Sequence, residues 1–418
     1  MSEQNAMIEG APPGLLSRRQ ALRLTGAGLS LIAACYGLAR FAYGLFVPVF
    51  RSEFALDAGT AGAIASGSYV AYCIAIIAST ILTPRFGGRA VATAAGVIAT
   101  IGVLVVAAAP TAGVLAAGVL IAGSSTGVAS PPLAHAVAHT VQAPIRDRTQ
   151  TVINAGTGVG VAVAGPIAVL THEHWRSAWV MFALVCALAT VWASFTISSE
   201  PAKRSGGGVG ETLIPRPFLP AGSARLLSAV ALMGAASSAV WTFGRDVLVT
   251  TGGMSESGSS TAWIFLGAFG VLGAATGNLA HRFGIGTSWM ATMFVLAAAT
   301  PLFTAYPGVV AVAWLASAAF GAAYIALTGL LLIWGTEVYT QAPAAGVGLA
   351  FLFIALGQAV GARVVGALSE EAGPVTAFTT AAVIAVLGAF IRPAARSGHP
   401  RNSPVSSTGA DRSAGPVR

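Results

Sequence analysis

The chain has 418 residues, 55% of them hydrophobic and only 9% charged, and its mean hydropathy is +0.78. Soluble domains carry about 25% charged residues, so this composition excludes a soluble globular protein and points into a bilayer. The formal charge of +8 is not a nucleic-acid footprint, because the one lysine is Lys203 and the arginines gather at the ends of apolar runs.

A helix needs roughly 20 apolar residues to cross the hydrocarbon core. On that scale the sequence predicts spans near 24–49, 60–82, 90–109, 113–138, 151–171 and 177–197. They resume near 226–249, 261–281, 286–306, 309–334, 345–367 and 375–392. The runs lack the period-2 alternation of a membrane barrel, so the fold class is all-α. Ahead of the first span, Ser17-Arg18-Arg19 resembles a twin-arginine export signal. The apolar run continues past Arg40 and further runs follow, so these arginines read as a basic flank of the first span.

The segment 198–225 is rich in glycine and proline and separates the two sets of spans as a linker. Residues 1–23 and 393–418 read as tails, the latter disordered by composition. The predicted domains are therefore two six-helix bundles, 24–197 and 226–392. With the N-terminus inside, the cytoplasmic segments hold Arg18, Arg19 and Arg23, then Arg85 and Arg89, then Arg146 and Arg148. Lys203, Arg204, Arg216, Arg225, Arg282, Arg392 and the tail arginines follow on the same side, against Arg51 and Arg176 outside. The positive-inside rule then places both termini in the cytoplasm. Cys35, Cys73 and Cys186 lie in apolar runs and imply no disulfide framework.

An internal repeat supports the two-bundle division. "TPRFGGRAVAT" from Thr83 and "AHRFGIGTSWMAT" from Ala280 place Arg-Phe-Gly at the equivalent loop of each half. Such parallel repeats are the trace of a transporter built from two six-helix halves. On these residues the chain resembles the major facilitator superfamily from about Leu22 to Ile391. The C-terminal copy matches that superfamily's loop motif at Gly277, Leu279, Arg282 and Gly284, with His281 in place of the aspartate. The N-terminal copy keeps Leu82, Arg85, Gly87 and Arg89, with Thr80 for the first glycine and Pro84 for the aspartate. "GLARFAYGLFVP", "INAGTGVGVAVAGP" and "WRSAWVMFAL" resemble the bacterial YbfB/YjiJ-type permeases. Gly165-Pro166 is similar to the fifth-helix motif of proton-coupled antiporters, without its preceding glycine, which is Val161 here. The fourth-span arginine of many proton-coupled members is absent from "VLIAGSSTG".

The resemblance implies that spans one, four, seven and ten line a central cavity. Arg40 lies within the first, with Tyr36 and Tyr43 at i, i+4 and i+7 on one α-helical face. A guanidinium between phenols can grip a carboxylate bidentately. The alternative is a structural arginine bonded to carbonyls freed by a kink. Trp241 and Thr242 on the seventh span, and Tyr324 and Thr328 on the tenth, complete the predicted substrate-binding set. Arg245 and Asp246 stand near the outer end of the seventh span as helix-contact or gating residues, where snorkelling accounts for Arg245. Asn154 and Gln358 read as interhelical glue, and Gly165-Pro166 as a packing and kink element. Arg363 is placed to pair with Glu370 or Glu371, or to gate anions. His135 and His139 have metal spacing but no third ligand, so no metal is expected.

No carboxylate lies deep in the first half, so the embedded charge is basic. The expected function is a secondary active or facilitative transporter of a small organic anion or metabolite by alternating access. Proton-coupled drug efflux is the alternative within that class, and a non-transporting membrane sensor or scaffold the alternative outside it. No nucleophile–base constellation and no ATP-binding loop occur, so neither an enzyme nor a primary pump is expected. A monomer in the bacterial inner membrane is expected, with no cofactor, no nucleic-acid partner and a possible coupling proton.

Overall fold

The computed structural model describes residues 16–171, 174–197 and 219–393. The first half comprises α1 (Arg18–Glu53), α2 (Ala58–Phe86), α3 (Gly88–Ala107), α4 (Ala112–Thr140), α5 (Ala143–Thr171) and α6 (Trp175–Thr196). The second comprises α7 (Ser223–Thr250), α8, α9 (Ile285–Ala305), α10 (Val310–Val338), α11 (Pro343–Glu371) and α12 (Gly373–Phe390). Eleven of the described helices are long and apolar enough to cross a membrane unbroken. The other, α8, runs as Glu256–Gly270, a tighter 3₁₀ stretch at Val271–Ala275, and Thr276–Phe283. The predicted linker and tails lie largely outside the described residues. At their described edges α1 begins at Arg18 and α7 at Ser223, so helix claims the last residues of both.

α1 starts earlier than its apolar run because Ser17 and Gln20 form a reciprocal capping box. Leu16 adds an N–H bond to the Thr140 carbonyl, pinning that end to α4. Between Ala33 and Phe41 the helix widens to a π form, and the Ala42 N–H reaches back five residues to the Gly37 carbonyl. Prolines are tolerated where a neighbour repairs the ladder. Pro132 has no N–H for the Val128 carbonyl four residues earlier, and the Ser79 hydroxyl from α2 bonds that oxygen at 2.9 Å.

The two halves repeat one packing plan. α1 lies on α5 as α7 lies on α11, α2 on α4 as α8 on α10, and α3 on α6 as α9 on α12. Across the halves α2 meets α11 and α5 meets α8, and α1 meets α7. The repeated Arg-Phe-Gly loops fold alike: Gly87 has φ 83° and ψ 153°, Gly284 φ 79° and ψ 153°. A side chain is excluded from that region, so the shared glycine is a backbone requirement at an abrupt helix–helix turn. Arg85 and Arg89 flank the first turn and Arg282 the second, while Gly277 falls in Thr276–Phe283.

α1 and α7 are buried along most of their length, whereas α6 and α12 turn Leu184, Leu188, Phe195, Leu387 and Phe390 outward. That is the outer surface expected of a bundle solvated by lipid.

Candidate functional site

The middle residues of several 29-residue helices converge on one point. Tyr72 is central in α2, Thr157 in α5, Tyr324 in α10, and Gln358 is one residue past the centre of α11. Arg40, in the π segment of α1, is among them and 7% exposed. Its Nη2 donates to Gln358 Oε1 at 2.6 Å, joining the two halves at mid-depth. Its guanidinium carbon lies 4.6 Å from the Tyr69 ring centre, 4.7 Å from Tyr72, 5.0 Å from Phe41 and 5.8 Å from Tyr36. Aromatic faces offset part of the cost of the buried cation. Its Nε, fully buried, has no hydrogen-bond partner.

The surrounding groups are held by their own bonds. Tyr36 Oη and Ser130 Oγ share a bond of 2.8 Å. Gln358 Nε2 donates to Tyr324 Oη at 3.2 Å and to Ser237 Oγ at 3.4 Å. Asn154 Nδ2 donates to Thr328 Oγ1 at 3.4 Å, a second link across the halves. Together Tyr36, Arg40, Phe41, Tyr72, Asn154, Thr157, Tyr324, Ile325, Thr328, Phe351, Ile354, Ala355 and Gln358 enclose a cavity of about 20 Å³. That is room for about one water, so the site is contracted in this conformation.

A larger cavity of about 1470 Å³ opens at the end of the bundle where α7 begins and α12 ends, lined by Arg225, His281, Glu337 and Arg392 among others. All its walls belong to the second half. A solute there would ride with one bundle and would not be transferred by motion between two, so the smaller cavity is the candidate.

Several expected residues converge and others do not. Tyr36, Arg40, Tyr324 and Thr328 line the cavity. Tyr43 does not: its hydroxyl donates to the Ala61 carbonyl at 2.9 Å and its ring packs on Phe50. The π turns wind more loosely than an α-helix and rotate Tyr43 away from Tyr36 and Arg40 by about a quarter turn. Trp241 and Thr242 sit one layer back, with Trp241 stacked on Phe41 at 3.9 Å between ring centres. α4 and α7 therefore support the lining, through Ser130, Ser237 and Trp241, whereas α2, α5 and α11 enter it.

Gln358 and Asn154, read from sequence as interhelical glue, both bond across the halves and line the cavity. Tyr69, Tyr72, Ser130, Thr157 and Phe351 were missed by sequence reasoning. "SYVAYC" carried the signal for the first two, as a tyrosine pair at i, i+3 in a helix of mostly small and aliphatic residues.

The opposite end of the bundle is closed. Arg51 on α1 forms an ion pair with Asp246 on α7. Arg245 does not snorkel: it is 4% exposed, donating from Nη1 to the Leu45 carbonyl at 2.6 Å and from Nε to Ser259 Oγ at 3.1 Å. Burial there is offset because α1 brings a carbonyl directly to it. Arg363 donates to the Gly59 carbonyl at 3.2 Å instead of pairing with Glu370 or Glu371. Glu370 accepts from the Gly59 N–H at 2.8 Å. Gly165 packs against Ile264 and Ser260 of α8, and Pro166 lies inside an unbroken α5. His135 and His139 stack at 4.1 Å between ring centres, with His139 Nδ1 bonded to the His135 carbonyl at 2.8 Å.

Asp246→Asn should loosen this closure, since Arg51 loses its counter-charge. Spin labels at Ser52 and Thr251, exposed at the ends of α1 and α7, should then show a longer and broader distance distribution. An unchanged distribution would remove the pair as a gate.

Comparison with known proteins agrees with this architecture. The family model described as Major Facilitator Superfamily matches residues 29–346. The chain is similar in structure to the nucleoside transporter NupG (D323A mutant), with TM-score 0.69 and 15% identity over 89% of this chain and 98% of that one. It is also similar to the human organic anion transporter MFSD10 (TETRAN), with TM-score 0.65 and 16% identity over 91% of this chain and 100% of that one. No curated protein sequence is a significant match.

Proposed function

The chain belongs to the major facilitator superfamily, and from that premise we propose that it carries a small organic anion across the membrane by alternating access. It is a multi-pass membrane transporter; the anion and the mechanism are our reading. One observation carries it. Arg40 is buried at mid-depth between the halves, bonded to a neutral amide, with its Nε unpartnered. Intramembrane arginines are expensive, and one that lines a cavity with a donor left over is placed for a ligand. A carboxylate on the Nε edge would satisfy that donor and neutralise the charge. The organic anion transporter among the similar structures is consistent with this reading. Resemblance to YbfB/YjiJ-type permeases, a bacterial inner-membrane location, cytoplasmic termini and a monomeric state belong to the same proposal.

The test is binding to the purified full chain, read as a rise in Tm. Carboxylic acids should raise Tm and their amides should not, because only the charged form meets Arg40. Amides matching their acids would remove the anion from the reading. Topology has its own check: a thiol placed in 198–218, in a cysteine-free background, should resist an impermeant reagent outside intact cells. Labelling from outside would reverse the orientation.

A further inference from the structure

We infer that the central site takes a monovalent carboxylate and that the protein works as an electroneutral anion exchanger. This rests on the anion reading above and deepens it.

Charge bookkeeping at one depth carries the inference. Among the described residues Arg40 is the only formally charged side chain lining the cavity. In depth, the next charges are Arg245, Asp246 and Arg363, at least a turn nearer the closed face and bonded there to Leu45 and Ser259, Arg51, and Gly59 respectively. The rest of the lining carries no formal charge: phenols, amides, hydroxyls, Phe41 and an apolar wall of Ile325, Phe351, Ile354 and Ala355. One carboxylate brings the site to zero. A second carboxylate on the same ligand would lie against this neutral lining with no cation, the costly case for a buried charge. Asn154 and Thr328, one bond apart, suit a single hydroxyl or carbonyl on the ligand.

The same count sets the mode of transport. Reorientation must pass through a state with both faces closed, where water cannot reach the guanidinium. The loaded site crosses that state as a neutral ion pair. The unloaded site crosses it as a bare cation whose partner is Gln358, on the opposite half, while its aromatic neighbours Tyr36, Phe41, Tyr69 and Tyr72 all lie on the first half. Relative motion of the halves strains the Gln358 bond and leaves the rings alone to hold the charge. Return of the empty carrier is therefore slow, and it moves one positive charge through the membrane field. Exchange of one monoanion for another avoids that step. Among the described residues no carboxylate or histidine lines the cavity, so the exchange we infer is of anion for anion, without a coupling proton.

Matched triplets test both parts with the full chain: lactate, malate and lactamide, then benzoate, phthalate and benzamide. We expect lactate or benzoate to raise Tm more than its dianion or amide. In liposomes, the best-binding acid is then supplied as labelled solute to vesicles preloaded with the same acid or left empty. Preloading should speed uptake about tenfold or more, given the cost of an unpaired arginine in a bilayer. A potassium diffusion potential should alter uptake into empty vesicles and leave exchange unchanged. Dianions binding as well as monoanions, equal uptake with and without preloading, or uptake into empty vesicles driven by a proton gradient would each overturn this inference and leave the anion reading standing. Amides binding as well as acids would remove the anion reading, and this one with it.

Discussion

Arg40→Met should leave a folded protein that no longer binds carboxylates, with affinity down by about ten- to a hundredfold. The range follows from the worth of a hydrogen bond to a charged group, about 1.5–3 kcal/mol. Methionine keeps much of the aliphatic volume among Tyr36, Tyr69 and Tyr72, so packing is preserved while the charge goes. Gln358 Oε1 loses a donor, but its amide nitrogen keeps Tyr324 and Ser237. Removing an unpaired buried cation offsets that loss, so Tm should change little without ligand. Arg40→Lys should recover part of the binding, because a point charge does not reproduce the planar fork. Were Arg40 structural, both variants would melt early and any folded fraction would still bind. That result would remove it from the site.

Gly160→Val should have the largest effect on folding. α1 and α5 touch backbone to backbone: a Cβ on Gly160 would overlap the Ala33 carbonyl, and one on Gly37 would overlap the Gly160 backbone. Neither helix can yield locally, since rigid main chain stands on both sides. Gly160→Ala should cost about 1–3 kcal/mol, the usual range for overpacking, and valine should prevent folded protein from accumulating. Gly348 is the control, because nothing lies within 4 Å of its added Cβ. Gly348→Ala should be neutral or slightly stabilising. Folded yield and Tm by fluorescence-detected size exclusion measure all three. A well-folded Gly160→Val would mean that the two helices are not in the contact described.

The helices were legible because hydrocarbon thickness imposes a length and a composition that few other constraints disturb. The Arg-Phe-Gly loops were legible for a related reason: positive φ demands glycine in both copies, so the backbone requirement survives in the letters. The 3₁₀ stretch at Val271–Ala275 left no such mark, since its residues are apolar like their neighbours. The π segment was equally silent, and the i, i+4, i+7 reading of Tyr43 failed with it. Gln358 was recognised as a buried polar residue but not as the partner of Arg40, because a contact between residues so far apart is set by how two bundles dock. Arg245 was misread because its distance from the span's end suggested water within reach, whereas α1 covers it. Tyr69 and Tyr72 were within reach of sequence reasoning, standing at the middle of a helix built mostly from small and aliphatic side chains.

The widened turn at Ala33–Phe41 sits between two anchors. A π turn holds a surplus residue relative to the α-helix, and both ends of α1 are anchored, by Leu16 to Thr140 and by Arg51 to Asp246. While both anchors hold, the surplus would shift only by passing along the chain, as a ruck travels in a carpet. Each single-residue step past Arg40 would swing its guanidinium by about 100° while the helix ends stay where they are. While those anchors hold, such a step would change the bearing of a side chain inside a helix whose ends stay in place.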